Sequence, residues 1–189
     1  MSNAVAHQYQ DDYTIVETID GREVAMSPRP ATTHARIAGN IHGIFWRFLK
    51  GKRCEVYMET DVFLDEKNNF VPDVLIVCDK NKIKANGIYG APDLVVEVLS
   101  PSTMTRDRGI KKDVYEKAGV REYWIVDPVS QSIEVYHLKE GRLVFDHAYA
   151  VFPDWEWERL TEEQRAATRF SVKVSLYDDL MVDVREVFE

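Results

Sequence analysis

Hydrophobic and polar positions divide this chain into short strands and two substantial helices. Thr14-Ile15-Val16-Glu17 and Glu23-Val24-Ala25-Met26 flank Asp20-Gly21, a step that favours a tight turn with positive φ, so residues 14–26 predict a hairpin. Ser27-Pro28-Arg29-Pro30 breaks it, and Thr32 or Thr33 can cap a helix running to about Leu49. Ile37, Ile41, Ile44, Phe45 and Phe48 recur at three- and four-residue steps, giving that helix one apolar face, and Gly51 supplies a stop. From Cys54 the period falls to two: Cys54–Met58 and Val62–Leu64 read as strands, with a turn at Glu66-Lys67-Asn68-Asn69.

Two apolar runs follow, each opened by Pro-Asp: Asp73–Val77 and Asp93–Leu99, separated by a polar loop or short helix over 79–91. A helix over 105–118, stopped by Gly119, precedes a third buried strand, Glu122–Asp127. Ser132–Tyr136 and Leu143–Phe145 predict a hairpin around Glu140-Gly141, Thr161-Glu162-Glu163-Gln164 starts a short capped helix, and the tail from Phe170 to Phe188 alternates as strand. Neither a repeat nor a linker interrupts the pattern. Residues 12–189 therefore read as one α/β (α+β) domain, preceded by a disordered segment or cloning scar over 1–11.

Composition narrows the function classes. With 189 residues, 45% hydrophobic content and a formal net charge of −8, the chain is sized for one cored domain and ill suited to coating nucleic acid electrostatically. An enzyme meeting nucleic acid through a local basic strip remains compatible. Cys54 and Cys78 lie in separate apolar stretches and read as reduced core thiols. No run reaches transmembrane length and no secretory signal opens the chain, so no membrane association and a cytoplasmic location are expected.

The chemistry concentrates between Pro72 and Pro128. In the strand 93–99, Asp93, Val95, Glu97 and Leu99 share one face; Leu94, Val96 and Val98 share the other, which should pack under a helix. Asp73, opening the neighbouring strand, could face Glu97 across the sheet. Two carboxylates so placed repel unless a cation lies between them, and oxygen ligands of this kind suit Mg²⁺ or Mn²⁺. Asp107, Lys111 and Tyr115 follow at i, i+4 and i+8, so Lys111 could point back into the site. Blander readings stand beside these: Asp73 as a hydrogen-bonded strand start, Glu97 in a buried salt bridge to Lys111 or Arg106, Asp93 capping a turn, His34 a helix-start histidine, Asp127 a turn residue. Arg106, Arg108, Lys111 and Lys112 form the most basic local patch, suited either to phosphate contacts or to solvent.

The run Pro92–Thr103, then Asp107, Lys111, Tyr115 and Gly119–Asp127, closely resembles the Uma-two family of restriction-endonuclease-like proteins. Asp20-Gly21, Met26-Ser27-Pro28, His34 and Pro72-Asp73 extend the resemblance, which covers roughly residues 12–188. That family resembles the PD-(D/E)XK nuclease superfamily. The resemblance implies a mixed central sheet flanked by helices, to which the N- and C-terminal hairpins read above are additions, and a Mg²⁺-dependent phosphodiesterase site; the leading expectation is Mg²⁺-dependent (or Mn²⁺-dependent) hydrolysis of DNA phosphodiester bonds. By position Asp73 and Glu97 would be the metal carboxylates, with His34, Asp93, Asp107 and Tyr115 around them. The superfamily lysine belongs two residues after the acid, where this chain has Leu99, so Lys111 is the expected substitute. A homodimer is the fold-level expectation. The alternative is a catalytically inactive nuclease-fold protein that binds nucleic acid or a protein partner.

Overall fold

The computed structural model describes residues 16–25 and 31–189. The segment 1–11, both outer ends of the first hairpin and the Ser27–Pro30 break lie outside them. Strands β1 (Val16–Ile19) and β2 (Arg22–Ala25) pair antiparallel, and Asp20 and Gly21 take positive φ of 49° and 75°, as an Asp-Gly hairpin turn requires. Helix α1 (Thr32–Leu49) starts after Ala31 without a side-chain cap, so neither threonine caps it; its buried face is Ile37, Ala38, Ile41, Phe45 and Leu49.

Next come β3 (Glu55–Met58), β4 (Val62–Phe63), β5 (Asn69–Phe70) and β6 (Val74–Val77). The polar stretch after β6 holds a 3-10 turn at Lys80–Lys82 and two short strands, β7 (Ile83–Lys84) and β8 (Gly87–Tyr89). Strand β9 (Leu94–Val98) leads into a helical region in three parts: α2 (Met104–Arg106), a π-helical turn (Asp107–Lys111) and α3 (Lys112–Ala118). The single helix expected over 105–118 is therefore broken, and its break is at Gly109, whose φ −110° and ψ −108° are non-helical. Then follow β10 (Glu122–Asp127), the hairpin β11 (Ser132–Lys139) and β12 (Arg142–Ala150), α4 (Asp154–Trp157) and α5 (Glu162–Ala167), the last with the expected Thr161/Gln164 capping box. The tail is β13 (Ser171–Lys173), β14 (Met181–Asp183) and α6 (Val184–Phe188), so its last turn and a half is helix rather than strand.

The central sheet has the order β12-β11-β10-β9-β6-β3, with β9 and β10 parallel and every other neighbour antiparallel. A second sheet, β2-β1-β5-β4-β8-β7, lies on one side of it. Because side chains alternate, each central strand feeds two cores. Val74, Ile76, Leu94, Val96, Val98, Trp124 and Val126 pack with α1, α6 and the β13–β14 pair, as the apolar half of the 93–99 run predicts. Leu75, Val77, Val95, Leu99, Tyr123 and Ile125 pack instead with Tyr115 of α3 and with Ile19, Val62 and Phe70 of the second sheet. Glu97 belongs to this second face.

One expectation fails outright. Cys54 and Cys78 are joined in a disulfide rather than standing as separate thiols. Pairing of β3 with β6 matches Glu55 to Val77, and the next pair outward is Cys54 and Cys78. Their separation of 24 residues in sequence is closed by that antiparallel ladder, which a strand-by-strand reading does not contain.

Candidate active site

The β6–β9 register matches Val74 to Val96, and one step further sets Asp73 opposite Glu97. Lys111 is swung inward by the π turn; its Nζ lies 2.7 Å from Glu97 Oε1 and 3.0 Å from Glu17 Oε1, with Asp107 Oδ1 at 3.7 Å. Tyr115 donates to Glu97 Oε1 at 2.8 Å. Asp73 Oδ2 accepts the Val98 N–H at 2.7 Å and faces His34 Nε2 at 3.3 Å. Asp73, Glu97, His34, Asp107 and Lys111 all line one cleft of about 690 Å³, between the start of α1 and the turns at Ser100–Thr103 and Asp127–Val129.

The family described as "Uma2: Putative restriction endonuclease" matches residues 6–166. The chain belongs to the Uma2 family. An uncharacterized protein of Synechocystis sp. is 34% identical over 125 residues, an alignment spanning 64% of this chain and 65% of that one, so the match stops short of two thirds of the relative's length. A crystal structure from Anabaena variabilis, described as a "putative nuclease belonging to DUF820", superposes with a TM-score of 0.69 at 20% identity, covering 92% of this chain and 89% of that one. At that identity the superposition establishes the shared fold. Among the described residues no helix is long and apolar enough to cross a membrane.

In this Uma2 protein three of the blander readings hold alongside the site, the first being Asp73 as a hydrogen-bonded strand start, its Oδ2 accepting the Val98 N–H. Glu97 is in a buried salt bridge with Lys111 and still lines the cleft. Asp93, by contrast, stands away from the cleft at the other end of β9, where it accepts the Cys78 N–H at 2.8 Å and meets Arg121. Asp127 accepts from Val129 N at 2.9 Å, the turn role read from the sequence. Of the basic patch, Arg108 is held by Glu134 at 2.8 Å.

Electrostatics follow from burial. Glu17, Glu97, Asp107 and Lys111 are all buried, so three carboxylates surround one ammonium. Burial raises Glu97 well above the ordinary carboxylate range; Lys111 opposes that rise, and Asp107, Asp73 and Glu17 add to it. Asp107 is raised chiefly by burial as well. For Lys111, burial would lower the pKa, but Glu97, Glu17 and Asp107 reverse it, so the amine stays charged. His34 is raised too, burial being outweighed by its contact with Asp73.

The donor set suits a hard divalent cation. Asp73 Oδ1 and Glu97 Oε2 take no part in the hydrogen bonds described above, both residues line the cleft, and Asp107 Oδ1 is buried without a hydrogen-bond partner. Among the described residues no group of three His, Cys, Asp or Glu side chains is arranged to hold a metal by itself. Two carboxylates completed by water and phosphate oxygens is the usual Mg²⁺ arrangement.

Glu17 is the residue that sequence reasoning passed over. It is fully buried, accepts the Val71 N–H at 3.1 Å, and leaves Oε2 sealed without a partner. The signal existed: Glu17 shares its strand face with Ile19, so a carboxylate was pointing where an apolar side chain belongs.

Proposed function

We propose that the cleft is a metal-dependent phosphodiesterase site acting on DNA, with Asp73 and Glu97 holding Mg²⁺ or Mn²⁺ and Lys111 serving the attacking water. The observation that carries this reading is the 2.7 Å approach of Lys111 Nζ to Glu97 Oε1, next to Asp73. A lysine absent from the strand position, which is Leu99 here, is supplied to the same carboxylate from the π turn. When bound, the cation would acidify a water and neutralise charge on the phosphate.

The protein's own groups divide the remaining work. Tyr115 and Lys111 both engage Glu97 Oε1, which fixes the carboxylate and leaves its other oxygen for a ligand. His34 and the Val98 N–H do the same for Asp73. An ammonium has three donors, and Glu97 and Glu17 take two at hydrogen-bonding distance. The third is free to orient a water or a phosphate oxygen, since Asp107 at 3.7 Å is too far for a good bond. Leu99 walls the site with apolar surface, which strengthens each of these interactions.

Cleavage of plasmid and oligonucleotide DNA in Mg²⁺ or Mn²⁺ tests the reading. Glu97→Gln and Asp73→Asn should each remove cleavage while circular dichroism stays unchanged; full activity in either variant refutes it. The expected cytoplasmic location belongs to this proposal. A homodimer is the assembly that duplex cutting would need, and sedimentation tests it.

A further inference from the structure

The cleft has an acidic floor and an apolar rim. Glu59, Asp73, Glu97, Asp107 and Asp127 line it, and among the described residues Lys111 is the only Lys or Arg that does so. Lys111 is already engaged by carboxylates, and the one charged histidine candidate, His34, sits on Asp73. The rim is Pro101, Met104, Pro128 and Val129. Met104 is 42% exposed and Val129 95% exposed, so neither is explained by core packing. Both turns are braced: Thr103 Oγ1 accepts the Ser100 N–H at 3.2 Å, and Asp127 accepts the N–H groups of Val129 and Ser130. Val129 is thus an apolar side chain held out in solvent by a braced turn that borders the cleft.

We infer that the substrate enters this site as an unpaired nucleotide strand, its base lying against Pro101, Met104, Pro128 and Val129 while its phosphate reaches the divalent cation that Asp73 and Glu97 would hold. The inference rests on the phosphodiesterase reading and names the substrate class. Duplex DNA is gripped through its phosphates by Lys and Arg, with release of condensed counterions. Among the described residues the cleft carries five carboxylates and a single lysine, and this acidic lining opposes a duplex, with one phosphate charge per about 1.7 Å, more than a single strand, with one per about 3.4 Å. A duplex also hides its base faces in the stack, whereas an unpaired strand presents them, and burial of those faces is sequence-tolerant. The volume of about 690 Å³ falls within the range of small-ligand pockets and accommodates one or two nucleotides rather than the breadth of a duplex. A protomer cutting an unpaired strand needs no second copy.

The test compares three end-labelled DNA substrates of one sequence in Mg²⁺ and in Mn²⁺: a blunt duplex, the same strand unpaired, and a duplex carrying a single-stranded flap. The unpaired strand and the flap should be cut with kcat/KM at least ten-fold above the duplex. The logarithm of kcat/KM should fall only shallowly with the logarithm of KCl concentration, with a slope no steeper than about −2. Val129→Ser and Met104→Ser should raise KM for the unpaired strand several-fold, with the loss falling on KM rather than kcat. Equal or faster duplex cutting, a steep salt slope, or unaltered KM in both variants overturns the substrate assignment and leaves the phosphodiesterase reading standing. Absence of cleavage on all three substrates overturns that reading and the assignment with it.

Discussion

Replacing Lys111 by Met removes the cation that, among the described residues, alone lies between Glu17, Glu97 and Asp107, while keeping side-chain length. In the native protein the ammonium is 1% exposed and touches Glu97 and Glu17 at 2.7 and 3.0 Å. Its loss strands buried carboxylates that no other cation among the described residues pairs with. Breaking a buried ion pair from one side costs about 3–5 kcal/mol. At this chain length that lowers Tm by about 6–20 °C. The cost should depend on pH, with a definite sign. Glu97 already sits above its ordinary pKa with Lys111 present, and without it the folded-state value climbs further. A carboxyl raised in the folded state binds its proton more tightly there than in the unfolded chain. Its contribution is therefore fully favourable below the unfolded pKa, near 4.3 by reference, and is lost as pH rises through the folded value. Lys111→Met should thus be closest to wild type near pH 5 and furthest from it near pH 8. Urea unfolding of both proteins across that range, with chelator present, measures it. A difference below about 1 kcal/mol at pH 7 would contradict the burial argument, and a large difference independent of pH would contradict the electrostatic one.

Glu17→Gln keeps an acceptor for Val71 N but gives up the charged contact to Lys111, and should cost about 1.5–3 kcal/mol in urea unfolding. Tyr115→Phe deletes the hydroxyl on Glu97 Oε1 without changing ring packing against Phe70, and a cost in the same range of about 1.5–3 kcal/mol is expected; a neutral outcome would mean that Lys111 alone suffices to hold Glu97. Reducing the Cys54–Cys78 bridge opens a loop whose closure contributes about 3.5 kcal/mol by chain entropy, so Cys54→Ser/Cys78→Ser should melt as the reduced wild type does. Thiol titration in denaturant without reductant should find no free sulfhydryl in the oxidised protein.

Much of the framework was legible because it rests on short-range rules. The Asp20-Gly21 hairpin, the apolar stripe of α1, the Thr161–Gln164 cap and the inside-outside split of the 93–99 strand each follow from periods and side-chain hydrogen bonds within a few residues. Asp73 and Glu97 stood out because carboxylates interrupt apolar runs. What escaped was non-local. Glu17 reaches the site from 94 residues before Lys111, through a sheet whose packing no local pattern encodes. The disulfide depends on the β3–β6 register. Asp93 looked equivalent to Glu97 by face, yet the two lie at opposite ends of the same strand, and only the ends of neighbouring elements reveal which one opens on a cleft.

The π turn at Asp107–Lys111 acts as a phase shifter between two helical segments. In an unbroken α-helix, successive residues rotate by about 100°, so the angular position of Lys111 would be dictated by α3 and its buried face of Val114 and Tyr115. Non-helical backbone at Gly109 removes that constraint, letting the core side of α3 and the cleft side of the turn be oriented separately. A lysine can then be relocated from strand to helix without re-cutting the core around it. Deleting one residue here should do more harm to the position of the ammonium than many substitutions in contact with it, because it would change a rotation rather than a side chain.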